Sequence, residues 1–121
     1  MIKLTFCLRR LPHLSREGFQ AYWFEQHAPL VAKHREVLRI RRYVQMHAGS
    51  EAMNAGIAAS RGAPQMFDGV AELWWDSFED IVANPNPGAA AAGLELLEDE
   101  RKFIDLARSP LWFGEEKAII G

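Results

Sequence analysis

A histidine and a proline two residues apart interrupt a segment that otherwise has the pattern of an amphipathic helix. His27 lies four residues after Trp23 and three before Leu30, a spacing that places it on the apolar side of such a helix. Pro29 has no N–H to donate to the carbonyl of Glu25, so we expect the helix to bend or loosen beside His27. An inward imidazole there fits two readings, a general acid or base in a pocket or a core histidine with satisfied hydrogen bonds.

Other reactive side chains fit structural roles at least as well. His34 lies seven residues beyond His27, about 10 Å along a helix axis, so the two cannot readily share a metal ion. Cys7 lies on the same strand face as Lys3 and Arg9, which would lower a thiol pKa, although cysteine is also a common small core residue. No HxxxH, CxxC or glycine-rich phosphate loop occurs, so we predict neither a metal nor an organic cofactor. The remaining candidates for pocket walls or polar anchors are Trp23, Tyr43, Glu72 and Trp74.

Composition and charge limit the classes of partner. The chain has 121 residues, of which 49% are hydrophobic and 25% charged, as expected for one soluble globular domain over residues 1–121. The net charge of −2 provides no field that would attract a polyanion. The one basic cluster, residues 39–43, is predicted on a strand whose successive side chains point to opposite faces. We therefore expect no nucleic-acid binding and, with no window near about 18 apolar residues, no membrane span.

The cysteine content and the first residues of the chain indicate the cellular compartment. Cys7 is the only cysteine, so the sequence contains no disulfide framework and fits a reducing cytoplasm. The opening stretch MIKLTFCLRR alternates between apolar and polar residues instead of forming a charged leader and an apolar core, so we expect no secretory signal.

Hydrophobic periodicity predicts four strands and two long helices that would position these side chains. Ser15 caps a helix of about 20 residues, and Ser77 could cap a short helical turn. The glycine-containing segment 49–65 exceeds the usual connection length, so we predict a mobile lid or a partly helical excursion there. The predicted strands are residues 2–9, 37–47, 67–76 and 111–120, and the second helix is residues 89–106.

This order of elements predicts an α+β, ferredoxin-like βαββαβ unit with both helices on one face of a four-stranded antiparallel sheet. Trp74 and Trp75 are adjacent on a strand, so one of them must face away from the helices. Burying an indole removes upwards of about 150 Å² from water, so a second sheet packed on that face would stabilise the molecule. We predict a face-to-face homodimer, the alternative being a monomer with a few tolerated surface aromatics.

Several segments together resemble the EthD family, within the dimeric α/β-barrel superfamily. They touch every predicted strand and the first helix. The matching segments are IKLTFCLRR, FQAYWFEQHAPLV (residues 19–31), RRYVQMH (41–47), FDGVAELWWDS (67–77) and LWFGEEKAII.

The resemblance implies a barrel made from two subunits and a pocket lined by the first helix, with His27 of HAPLV as a recurrent pocket residue. It favours a cofactor-independent oxidoreductase of catabolism or secondary metabolism that acts on an apolar aromatic, ether or lactone-like small molecule. His27 and Tyr43 would be catalytic, and Trp23, Glu72 and Trp74 would bind substrate, with Glu72 also able to assist. An isomerase or dehydratase, or a non-catalytic ligand-binding dimer, are the alternatives.

Overall fold

The computed structural model describes all 121 residues and contains four strands separated by helices. The strands are β1 (Ile2–Leu8), β2 (Arg42–His47), β3 (Gly69–Trp75) and β4 (Leu111–Gly114). The helical elements are α1 (Arg16–Tyr22), a π-helical turn (Trp23–His27), α2 (Ala28–Lys33), α3 (Glu51–Arg61), α4 (Glu79–Val82), α5 (Ala89–Glu100) and a 3-10 turn (Leu106–Arg108). None of these helices combines the length and the apolar run that crossing a bilayer requires.

The four strands form one sheet in the order β2-β3-β1-β4, and every neighbouring pair is antiparallel. The predicted four-stranded antiparallel sheet with a βαββαβ order is therefore confirmed, with α3 added between β2 and β3. Because side chains alternate along a strand, the sheet has a helix face and an open face. We call the second of these the open sheet face; its residues include Lys3, Glu72, Trp74, Val44 and Trp112.

An apolar core fills the space between the helices and the sheet. Gly69 is essential to this packing, because a Cβ atom at this position would lie 2.5 Å from the indole ring of Trp23. The buried core residues form two clusters, Phe6, Leu8, Phe19, Trp23, Ala71, Phe103 and Ile104 in one and Val31, Ile40 and Trp75 in the other.

The two adjacent tryptophans point to opposite faces of the sheet, as predicted. Trp75 belongs to the core on the helix face, whereas Trp74 lies on the open sheet face. Trp74 is nevertheless only 6% exposed. The cations of Lys3 and Arg42 lie 5.0 and 4.6 Å from its ring, and Glu116 accepts a hydrogen bond from its indole N–H. The expectation that one indole would need a second sheet to cover it is therefore wrong, since charged side chains of the same chain cover it.

All four strands are shorter than predicted, β2 and β4 by the largest margins. Residues 37–39 belong to a turn and residues 40–41 to irregular chain instead of the start of β2. Arg39 adopts a positive φ of 59° in this turn, and its guanidinium binds Asp80 at 2.9 Å. Arg39 is therefore not a strand residue. At the other end of the chain, β4 stops at Gly114, which pairs with Lys3. Since β1 begins at Ile2, residues beyond Gly114 have almost no partner strand left.

The helix predicted over residues 89–106 ends at Glu100. Beyond it, Ile104 forms an isolated antiparallel bridge with Arg10, so the chain turns toward the end of β1 and the helix cannot continue. Ser77 does not cap α4, whose first flanking residue is Phe78.

The segment 49–65 is partly helical, which confirms one of the two predictions made for it. Ser50 caps α3 by accepting a hydrogen bond from the Met53 amide at 3.3 Å, and Gly62 ends the helix in the left-handed conformation. No residue of α3 is buried. The motion of this segment as a lid stays a prediction.

Candidate active site

The first helix widens at His27. Ser15 caps α1 by accepting a hydrogen bond from the Gly18 amide at 3.0 Å. The Ala28 amide then donates to the carbonyl of Trp23, five residues earlier, which is the bond of a π-helical turn. The predicted loosening beside His27 is thus confirmed. Side chains spaced four apart, Phe19, Trp23, His27 and Val31, all remain buried across this turn.

His27 is held by a carboxylate that the sequence did not single out. Its Nδ1 atom lies 2.7 Å from Asp99 Oδ2, and the Tyr22 hydroxyl donates to Asp99 Oδ1 at 2.6 Å. Burial opposes ionisation of Asp99, but these hydrogen bonds outweigh it and lower the pKa of Asp99. An ionised carboxylate only accepts hydrogen bonds, so the proton resides on Nδ1 and the lone pair on His27 Nε2.

The His27 imidazole is poised as a base. It is 5% exposed, and burial lowers its pKa despite the opposing effect of Asp99. The ring is therefore neutral near pH 7. Its Nε2 atom makes no hydrogen bond within the protein, while a cavity of about 200 Å³ lies beside the ring.

This cavity, which we call the slot, separates the helices from the sheet. Side chains from all four strands line it, so it lies across the helix face of the sheet. Gly93 and Leu111, at its β4 side, are exposed, which brings that end of the slot close to the surface. The lining is otherwise apolar, and its titratable members are His27, Tyr43 and Glu100.

Glu100 is the second group in the slot that can exchange a proton near neutral pH. Burial, with a further contribution from the charge of Asp99, raises its pKa to about 7. Arg101 opposes this shift without cancelling it. The Glu100 carboxyl, in the lining of the slot, makes no side-chain hydrogen bond within the protein, and no buried polar atom is left without a partner, so its oxygens retain some access to solvent.

Tyr43 presents a fixed hydroxyl group. Its oxygen accepts a hydrogen bond from Gln45 Nε2 at 2.7 Å, and the same amide nitrogen donates to the Trp23 carbonyl at 3.1 Å. The Tyr43 proton is therefore free to donate to a ligand. Burial raises the pKa of Tyr43, which keeps that proton in place at neutral pH.

A second, more open space lies on the other side of Tyr43. This outer cleft has a volume of about 590 Å³. The His47 ring at its wall stacks on the Trp23 indole at 4.4 Å. Its lining residues are Gln20, Ala21, Phe24, Ala28, Tyr43, Gln45 and His47.

The structure brings together three of the five predicted site residues. His27, Tyr43 and Trp23 all line the slot. Glu72 and Trp74 lie on the open sheet face, where Glu72 pairs with Lys3, so the sheet separates them from the slot. A ligand in the slot therefore contacts neither of them.

Asp99 and Glu100 are the functional candidates that sequence reasoning missed. Asp99 lies three residues after Leu96 and four before Phe103, both of which pack against the core clusters. An acidic residue on the apolar side of a helix is the signal that could have identified it.

The remaining candidates have structural explanations. Burial raises the pKa of Cys7, which contradicts the expectation of a lowered thiol pKa. His34 pairs with Glu95 at 3.1 Å, away from the slot. No group of three or more His, Cys, Asp or Glu side chains is arranged to hold a metal ion.

The sequence and the fold are similar to those of proteins of the EthD family. Residues 11–107 match the EthD domain. An EthD family protein from Bacillus halodurans is 22% identical over 97% of this chain and 100% of its own, with a TM-score of 0.60. An EthD-like protein from Ralstonia eutropha is 24% identical over 94% and 89%, with a TM-score of 0.59. A dimeric protein of unknown function with a ferredoxin-like fold from Bacteroides fragilis is 10% identical over 95% of both chains, with a TM-score of 0.59. No curated protein matches the sequence.

Proposed function

The chain belongs to the EthD family, and on this basis we propose that it is a small-molecule enzyme whose reaction begins with proton abstraction by His27. The observation behind this proposal is a neutral, buried imidazole that lines an apolar slot, with Nδ1 held by Asp99 at 2.7 Å and Nε2 without a hydrogen-bond partner in the protein. An apolar cavity of about 150 Å³ holds benzene. The slot, at about 200 Å³, is thus suited to a single aromatic or lactone ring.

The slot contains the groups that such a proton transfer needs. His27 Nε2 takes the proton from a phenol or from a carbon beside a carbonyl, and the Asp99 carboxylate stabilises the resulting imidazolium. The Tyr43 hydroxyl donates a hydrogen bond to the substrate oxygen on which negative charge develops. Trp23 forms part of the apolar wall.

Glu100 favours an isomerisation or a dehydration. With a pKa of about 7 it is partly protonated at neutral pH, so it can return a proton to the substrate at a second position. An oxidation of the substrate does not need a second proton donor such as Glu100. The oxidoreductase favoured by family resemblance is the second candidate, in which the substrate anion formed at His27 would transfer electrons to O₂.

Proton abstraction can be tested directly by deuterium exchange. Small phenolic ketones and lactones are incubated with the protein in D₂O, and NMR follows exchange at the carbon beside the carbonyl. His27→Asn keeps a donor for Asp99 but removes Nε2, so we expect the exchange rate to fall by about 10² to 10⁴. His34→Ala, on the same helical segment but outside the slot, is the matched control.

The outcomes separate the candidate functions. Undiminished exchange in His27→Asn would contradict the proposal. Consumption of O₂ during turnover would favour the oxidoreductase. Tight binding without exchange or O₂ consumption would identify a non-catalytic ligand-binding protein.

We also propose that the chain forms a homodimer through the open sheet face, in the cytoplasm, where the lone Cys7 stays reduced. On this face Met46 of β2 is 60% exposed next to Val44 and Val70, and Trp112 of β4, at the opposite edge of the sheet, is 54% exposed. A cluster of exposed apolar side chains on a sheet is typical of an interface. The dimeric Bacteroides fragilis protein, which has the same fold, is consistent with this assembly.

A further inference from the structure

The slot and the outer cleft meet at one shared residue, Tyr43. We propose that the outer cleft is a second binding subsite, which holds an unbranched apolar arm on the substrate whose ring occupies the slot. This inference rests on the proposed function for the identity of the ring, but it concerns binding and can be tested without turnover.

The apolar side of the cleft has the shape for such an arm. Phe24 is 65% exposed, although its ring is large and apolar. Ala21 and Ala28 lie three residues before it and four after it, on the same side of the helical segment. Their small side chains leave a trough beside the Phe24 ring, and a hydrocarbon lying in it would cover that ring.

The polar side chains of the cleft are occupied with one another and with the backbone. Gln20 Nε2 donates to the Ala48 and Asp68 carbonyls at 3.0 and 3.3 Å. Gln45 Nε2 donates to Tyr43 and to the Trp23 carbonyl, and Gln45 Oε1 lies 2.8 Å from His47 Nε2. No cationic side chain lines the cleft. Apart from the single Tyr43 hydroxyl, the cleft therefore offers no free donor for a phosphate, a carboxylate or a sugar, and it fits a hydrocarbon.

Tyr43 stands between the two spaces, because it is the one residue that lines both. Its hydroxyl is bound to Gln45, which is itself held by its contacts with Trp23 and His47. We expect a tyrosine anchored in this way to act as a partition, because moving it would break its hydrogen bond with Gln45. An arm must pass beside the ring, so we expect linear chains to be accepted and branched ones to be excluded.

A series of 4-alkylphenols provides the test. Isothermal titration calorimetry compares phenol with 4-ethyl-, 4-butyl- and 4-hexylphenol, and with 4-tert-butylphenol as the branched probe. We expect affinity to rise by up to about fourfold for each methylene that becomes buried. Phe24→Ala should lower the affinity for 4-hexylphenol by about fivefold while changing that for phenol little, because phenol reaches only the slot.

Two further variants test whether the change in affinity is specific to the outer cleft. Ala21→Trp fills the trough and should also weaken 4-hexylphenol. Phe78→Ala removes another exposed phenylalanine, 44% exposed and outside both spaces, and should leave both affinities unchanged.

Each outcome decides for or against the subsite. Equal affinities for phenol and 4-hexylphenol, an unchanged 4-hexylphenol affinity in Phe24→Ala, or no binding by any alkylphenol would overturn it. Chain-length-dependent binding that Phe24→Ala reduces, in a protein that catalyses no deuterium exchange, would support the subsite and contradict the proposed proton transfer.

Discussion

Two neighbouring acids, Asp99 and Glu100, differ in pKa because their surroundings differ. Asp99 receives hydrogen bonds from Tyr22 and His27, which favour its charged form despite burial. Glu100 lines the apolar slot without a hydrogen bond, and the Asp99 charge further disfavours its ionisation. Environments that separate the pKa values of adjacent groups are typical of acid–base sites. In the proposed reaction, this contrast gives Asp99 the supporting role and Glu100 the proton-exchanging one.

The raised pKa of Glu100 predicts a pH dependence of stability. The folded-state pKa of about 7 lies above the ordinary value of 4.5, so the folded chain binds more protons between these values than the unfolded chain. The stabilisation from protonated Glu100 is complete below about pH 4.5 and is lost as the pH rises through 7. We expect Glu100→Gln, which cannot ionise, to melt at a higher temperature than the parent at pH 8 and at a similar temperature at pH 5.

Thermal melts at the two pH values, with Glu98→Gln as an exposed control on the same helix, measure this difference. An equal shift in both variants, or none, would show that the Glu100 carboxyl is already well solvated.

The sequence identified His27 but not its partners, for a physical reason. The spacing to Trp23 and the break at Pro29 are local signals, and both survive in the structure. Asp99 and Glu100 belong to the run ELLEDE, where solvent exposure accounts for acidic residues without any special role. Which of the acids in this run face inward depends on the rotation of α5 about its axis, and packing on the sheet sets that rotation.

At the scale of elements, strand alternation was sufficient to predict the sheet and the opposed directions of Trp74 and Trp75. It was not sufficient to predict what covers Trp74. Lys3 and Arg42 lie directly opposite Trp74 on the two neighbouring strands. That contact depends on the register of both strand pairs, which a single sequence does not specify.

The π-helical turn makes Pro29 a test of how the first helix positions the site. Pro29→Ala restores an N–H that can donate to the Glu25 carbonyl, so an uninterrupted α-helix becomes more favourable. We expect thermal stability equal to or above that of the parent. Because a straighter helix would move His27 relative to Asp99 on α5, we also expect slower deuterium exchange and weaker phenol binding.

Melting curves and phenol titrations on Pro29→Ala check both halves of this prediction. Pro12→Ala, in the loop before α1, controls for the general effect of removing a proline. Normal binding and exchange in Pro29→Ala would mean that the widened turn is a packing feature without a role in the site.

At the scale of the whole molecule, the slot lies inside one subunit while the proposed dimer interface lies across the sheet from it. His27, Tyr43 and Glu100 all belong to the helix side, and each subunit contains a complete set. Dimerisation therefore need not complete the site. Its expected contribution is the burial of the apolar side chains on the open sheet face.

A charge on the open sheet face should separate assembly from ligand binding. Met46→Asp places a carboxylate where the second sheet would pack, and burying an unpaired charge is costly, so we expect a dimer to become a monomer at micromolar concentration. Val82→Asp makes the same change at a residue of α4 that is 64% exposed, and it should remain dimeric. Sedimentation velocity measures the masses. Because Met46 does not line the slot, the monomeric variant should still bind phenol, and a parent chain that sediments as a monomer would contradict the proposed assembly.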